Sequence, residues 1–127
     1  MAEELDGSIK VDVDTLYIEA ESEPDKDRYV FAYTITIQNI GSVAARLLTR
    51  HWIIRDANGK TQEVHGDGVV GEQPHLKPGE GFQYTSGTRL ETSMGTMSGV
   101  YLMVTDNGEE FKAPIAEFLL STPHTLH

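Results

Sequence analysis

Residues 28–40, RYVFAYTITIQNI, set Tyr29, Phe31, Tyr33, Ile35 and Ile37 on one side of the chain and Val30, Ala32, Thr34 and Thr36 on the other. An apolar period of two predicts a β-strand, and β-branched and aromatic side chains suit a pleated, half-buried surface. The flanking segments follow the same rule. In 8–20, SIKVDVDTLYIEA, Ile9, Val11 and Val13 alternate with Lys10, Asp12 and Asp14, and Leu16 and Ile18 then take the opposite phase. That reversal predicts a bulge or bend near Asp14. Residues 45–56 put Leu48, Trp52 and Ile54 on one face beside Arg50. Asn58-Gly59 then predicts a two-residue hairpin with both turn positions at positive φ, and 60–65 pair back. Further strands are expected over 82–85, over 97–105 and over 110–120, where Pro114 points to an edge strand or a bulge.

Seven or eight short strands with no convincing helix predict an all-β fold, an immunoglobulin-like or fibronectin type III-like sandwich. Periodicity alone leaves a closed barrel as the topological alternative. Without a repeat or a break in composition, 1–127 reads as a single domain with flexible ends at 1–7 and 124–127.

A hydrophobic fraction of 39% with 24% charged residues is that of a folded globular chain. The absence of cysteine excludes a disulfide framework, a thiol nucleophile and thiolate metal ligands, and fits a reducing compartment. Acidic residues stand where a secretory signal would be basic, and no apolar run approaches the roughly 20 residues of a membrane helix. The chain therefore reads as cytoplasmic, with no membrane insertion. Its net charge of -10 is concentrated at the start, where residues 1–27 hold ten acids and two bases. Arg46, Arg50, Arg55 and Arg89 are scattered, so no nucleic-acid partner is expected, although the first three could share a sheet face.

Residues 64–101, VHGDGVVGEQPHLKPGEGFQYTSGTRLETSMGTMSGVY, resemble the central signature of the ApaG family. YTITIQNIG (33–41), RHWIIRDANGK (50–60) and FKAPIAEFLLSTP (111–123) resemble its flanking segments, so the likeness spans about 8–123. The resemblance implies a fibronectin- or immunoglobulin-like sandwich. It also implies a genetic link to cobalt resistance and magnesium efflux. Related domains attached to F-box proteins and to a polymerase-delta-interacting protein imply a binding module with an unidentified protein partner. The resemblance names no reaction.

The long connection from His65 to Gly81 is the expected recognition loop, with Gly66, Asp67, Gly68, Gly71 and Glu72 as candidate binding residues. Gly66 to Gly71 fit G-x-G-x-x-G, a phosphate-cradling pattern, but EQPHLKPGE after it cannot open the helix that a nucleotide fold requires. Phosphate or nucleotide binding by the amides of loop 65–81 alone is the alternative to a protein-binding role, and nucleotide processing the enzymatic alternative. The same loop offers His65, Asp67, Glu72 and His75 as an alternative set for a divalent cation, in a spacing that matches no standard ligand pattern. His51, beside Trp52, reads as a partly buried, hydrogen-bonded group, and His124 and His127 as part of a frayed tail. Ser86 lacks a nucleophile elbow, and Glu109-Glu110 is a solvated hairpin tip. No catalytic residue and no cofactor are expected. Trp52, Phe82, Tyr84 and Tyr101 are mostly core. The broad Tyr29, Phe31, Tyr33 face suggests a further contact through it or through an edge strand, in a homodimer or with another protein.

Overall fold

The computed structural model describes residues 5–123. Eight strands follow in order: β1 (Ile9–Tyr17), β2 (Tyr29–Asn39), β3 (Ala45–Asp56), β4 (Thr61–Asp67), β5 (His75–Leu76), β6 (Gly81–Leu90), β7 (Met94–Thr105) and β8 (Glu110–Ser121). They form two antiparallel sheets, β1-β2-β6 and β4-β3-β7-β8, with short β5 beside β3. The sheets stack as an immunoglobulin-like sandwich. On one side β1 packs along β8. On the other, β4 and β6 are edge strands of different sheets that do not pair, so the barrel alternative does not hold.

The central strand behaves as its alternation requires. Phe31, Tyr33, Ile35 and Ile37 of β2 are all buried against the opposite sheet. Trp52 sits at the centre of the interface, its ring 5.4 Å from Tyr33, 6.0 Å from Phe118 and 6.3 Å from Tyr101. Burial of side chains of this size contributes about 1.5–3 kcal/mol each. Phe31 and Tyr33 are therefore used inside the sandwich, which corrects the expectation of a further contact through them and leaves an edge strand as the other place for it.

The bend expected near Asp14 is absent. β1 and β2 stay in continuous register from Ile9 opposite Asn39 to Tyr17 opposite Phe31. Tyr17 keeps the inward phase with its ring 5.4 Å from Phe31, and Leu16 is left 64% exposed. The phase change occurs instead in β3, whose pairing with β7 steps from Leu47 opposite Met103 to Thr49 opposite Leu102. Leu48 is the extra residue of this bulge, and one extra residue reverses the faces beyond it. Ala45 and Leu47 are buried before the bulge and Trp52 and Ile54 after it, so Leu47 takes the core place expected of Leu48. The same reversal puts Arg50 in phase with Trp52 and leaves Arg46 and Arg55 on the outer face, so the three arginines do not share one face.

The β3–β4 turn also differs from expectation. The Gly59 amide donates to the Asp56 carbonyl and the Asp56 amide to the Lys60 carbonyl, with positive φ at Gly59 and not at Asn58. This is the three-residue hairpin of a type I turn closed by a left-handed glycine. β8 is a sheet edge, as Pro114 predicted, and its ladder with β7 is irregular between Met97 and Gly99. Leu5, within the expected flexible end, is 6% exposed and packs in the core.

Candidate functional site

Because β4 and β6 do not close the sandwich, a cleft of about 660 Å³ opens between them. That volume lies within the roughly 300–1,000 Å³ common for ligand sites. Its floor is core: Tyr33, Trp52 and Met97 line it from below. Its walls carry five basic residues, Lys26, Arg28, Arg50, Lys60 and Arg89, against three acidic ones, Asp27, Asp56 and Glu91. The cleft is thus locally basic on a chain of net charge -10. Several of these charges are committed. Lys60 pairs with Glu91, which raises the lysine pKa through a hydrogen bond, and Lys26 and Arg28 both reach Glu23. Arg89 has no ion-pair partner among the described residues.

An adjoining recess of about 250 Å³ shares Tyr33, Arg50, Trp52 and Ser86 with the cleft and ends at Asp67, Val69, Val70 and Gly71. The glycine-rich segment is therefore the end wall of the groove. Arg50 ties the two together, its Nη1 donating at 2.9 Å to each of the Asp67 and Gly68 carbonyls. Gly66 lies directly opposite Arg50 in the β3–β4 ladder, and a Cβ there would stand 2.6–2.7 Å from three guanidinium atoms. Deeper in, the Tyr84 and Tyr101 hydroxyls hydrogen-bond each other. Burial pushes the Tyr84 phenol up to about 12 and the Tyr101 phenol further still, so both stay protonated well into the alkaline range and either can donate to the other.

The G-x-G-x-x-G stretch is a tight turn whose amides face inward. Val69 and Glu72 exchange both backbone hydrogen bonds, and the Gly68 amide donates to the Leu48 carbonyl. Val70 and Gly71 between them have φ of 44° and 81°, the double positive of a type I′ turn. A β-branched residue in that region is an outlier, held because Val69 is wholly buried and fixes the turn beneath it. The donors a phosphate would require at Gly68, Val69 and Glu72 are already bonded.

The four residues suggested as cation ligands are not gathered. His65 lies in β4 opposite His51, whereas His75 lies in β5 opposite Arg46, five residues along the same strand and roughly 15 Å away at the usual rise. His75 Nε2 is 2.8 Å from Asp106 at the start of the β7–β8 turn. Asp67 and Glu72 are exposed, and it is their carbonyls that the loop uses. His51 is partly buried as expected, but its Nε2 has no hydrogen-bond partner. Trp52, Tyr84 and Tyr101 are core and Phe82 packs against it. Ser86 lines the groove, Glu109 and Glu110 are exposed at the β7–β8 turn, and His124 and His127 lie outside the described residues. No helix among the described residues is long and apolar enough to cross a membrane.

The fold and groove define an antiparallel β-sandwich with an open, basic-walled edge. A family model described as ApaG domain matches residues 19–105. A Protein ApaG of Shewanella halifaxensis is 57% identical over 124 residues, covering 98% of both chains, and one of Xanthomonas campestris pv. campestris is 58% identical over 119 residues, covering 94% of both. A solved structure from Bordetella pertussis is 52% identical with a TM-score of 0.89, over 91% of this chain and 94% of the other. The chain belongs to the ApaG family.

Proposed function

We propose that the chain is a non-enzymatic binding module that receives an extended, acidic peptide segment in the groove between β4 and β6. The observation that carries this reading is the excess of basic over acidic side chains around an aromatic floor, on a chain that is otherwise strongly acidic. Complementary charge of this kind steers association and selects partners more than it adds affinity. The two walls are edge strands, and an edge can add a strand by main-chain hydrogen bonding while pockets read alternate side chains. The Gly66–Gly71 turn then limits how far a segment reaches, which gives the candidate loop residues a part in the site as its end wall. The link to cobalt and magnesium implied by the family acts, in this reading, through the protein partner that the groove engages.

Trp52, the sole tryptophan, lines the groove and reports on it. Acidic and basic ten-residue peptides from a display library are titrated against its fluorescence, with Arg89→Glu alongside. Saturable binding of acidic peptides that weakens with salt and is lost in Arg89→Glu supports the module; no acidic binder, or binding indifferent to the substitution, removes it.

A further inference from the structure

On the outer face of the larger sheet, away from the groove, β3 and β4 set His51 directly opposite His65. Glu63 stands two residues before His65 and so projects from the same face. The imidazoles stack with ring centres 3.9 Å apart and planes within 15°. Glu63 Oε2 lies 3.8 Å from His51 Nε2 and 3.9 Å from His65 Nε2, and each of the three side chains offers a ligand atom within 4.8 Å of the other two. Both contacts are too long to be hydrogen bonds. His51 Nε2, closed off from solvent, has no hydrogen-bond partner. A buried polar nitrogen left unpaired is a place for a water or an ion.

We propose that His51, Glu63 and His65 form a binding site for one divalent transition-metal ion of the zinc class. Glu63 Oε2 stands 3.8 and 3.9 Å from the two imidazole nitrogens, against about 3.3–3.6 Å between two donors that share a tetrahedral zinc at bonds of about 2.0–2.2 Å. Little contraction is required. Two imidazoles and one carboxylate are a donor set that suits borderline ions, whereas magnesium and calcium prefer oxygen alone. Three protein ligands leave a fourth position for water. The parallel rings have to splay for their lone pairs to converge, and His65, with its side chain 68% exposed, is the one placed to turn. Lys112 lines the same shallow recess and opposes a cation, while Asp67 beside it favours one. The strand ladder holds the backbone of all three ligands in place before the ion arrives.

Calorimetric titration of the chelator-treated full chain with Zn²⁺ and, in parallel, Mg²⁺ tests this site. The expected result is one Zn²⁺ per chain and no saturable Mg²⁺ heat, with His65→Ala and Glu63→Gln each weakening Zn²⁺ by at least about tenfold, since second-sphere changes alone cost 10–100-fold. Both side chains are more than half exposed, so these variants keep the fold, which far-ultraviolet circular dichroism verifies. A His124→Ala, His127→Ala variant is expected to bind as the parent does. Absence of saturable Zn²⁺ binding, an unchanged affinity in His65→Ala, or loss in the tail variant overturns the proposal.

Discussion

Replacing Gly66 with alanine puts a methyl group 2.6–2.7 Å from three atoms of the Arg50 guanidinium, a separation side chains do not tolerate. The guanidinium, at the free end of a flexible side chain, must shift, and the shift breaks or lengthens the two 2.9 Å hydrogen bonds to the Asp67 and Gly68 carbonyls. A hydrogen bond from a charged donor contributes about 1.5–3 kcal/mol when buried; these two are partly solvated, so their joint loss in Arg50→Ala costs about 1–2 kcal/mol. Alanine in a strand recovers about 0.5–1 kcal/mol of glycine's entropic penalty, leaving Gly66→Ala destabilised by about 0–1.5 kcal/mol. In an Arg50→Ala background nothing opposes the methyl group, so the double variant is at least as stable as Arg50→Ala. The interaction energy of the cycle is then about 1–2 kcal/mol, the whole of the hydrogen-bond loss counted twice in the single variants. Urea unfolding followed by Trp52 fluorescence measures all four proteins. Additive effects, with an interaction energy below about 0.5 kcal/mol, would refute the view that this glycine is required by Arg50.

Tyr101→Phe leaves the buried Tyr84 hydroxyl without its partner and lowers stability by about 1–3 kcal/mol, whereas Tyr84→Phe with Tyr101→Phe recovers part of that loss because no polar group is stranded; urea midpoints separate the two cases. The same pair sets an alkaline limit. Below about pH 10 the phenol is neutral in both folded and unfolded chains, but between there and about 12 the unfolded chain ionises while Tyr84 does not. Stability therefore falls as pH rises through this window, by about 1.4 kcal/mol per unit for this phenol. Urea midpoints at pH 8, 10 and 11 check this, and the double phenylalanine variant is expected to flatten the decline.

The core of β2 and the edge position of β8 were legible in the sequence because alternation and proline chemistry are local. The His51–Glu63–His65 cluster was not, for a reason that lies in one turn. A two-residue loop at Asn58-Gly59 would pair Ala57 with Lys60 and bring His51 opposite Gly66. The three-residue loop that forms pairs Asp56 with Lys60 and brings His51 opposite His65. A single residue of register decides whether two imidazoles meet, and turn type depends on φ angles that Asn-Gly permits in more than one combination. The glycine motif was visible, but its use was not, since the need for Gly66 comes from a side chain sixteen positions earlier.

By itself, then, the sequence determined the all-β class, most strands, the inward face of β2 and the acidic character of the chain, because a backbone's period and a residue's charge need no neighbour distant in the chain. Tertiary structure alone decided that β4 and β6 would stand as unpaired edges around a basic groove, that Leu48 would be extruded so Leu47 could enter the core, and that Tyr17 would displace Leu16 from the interior. Those outcomes depend on which strands lie side by side and which side chain fills the space between two sheets, and that is settled only when remote segments pack together.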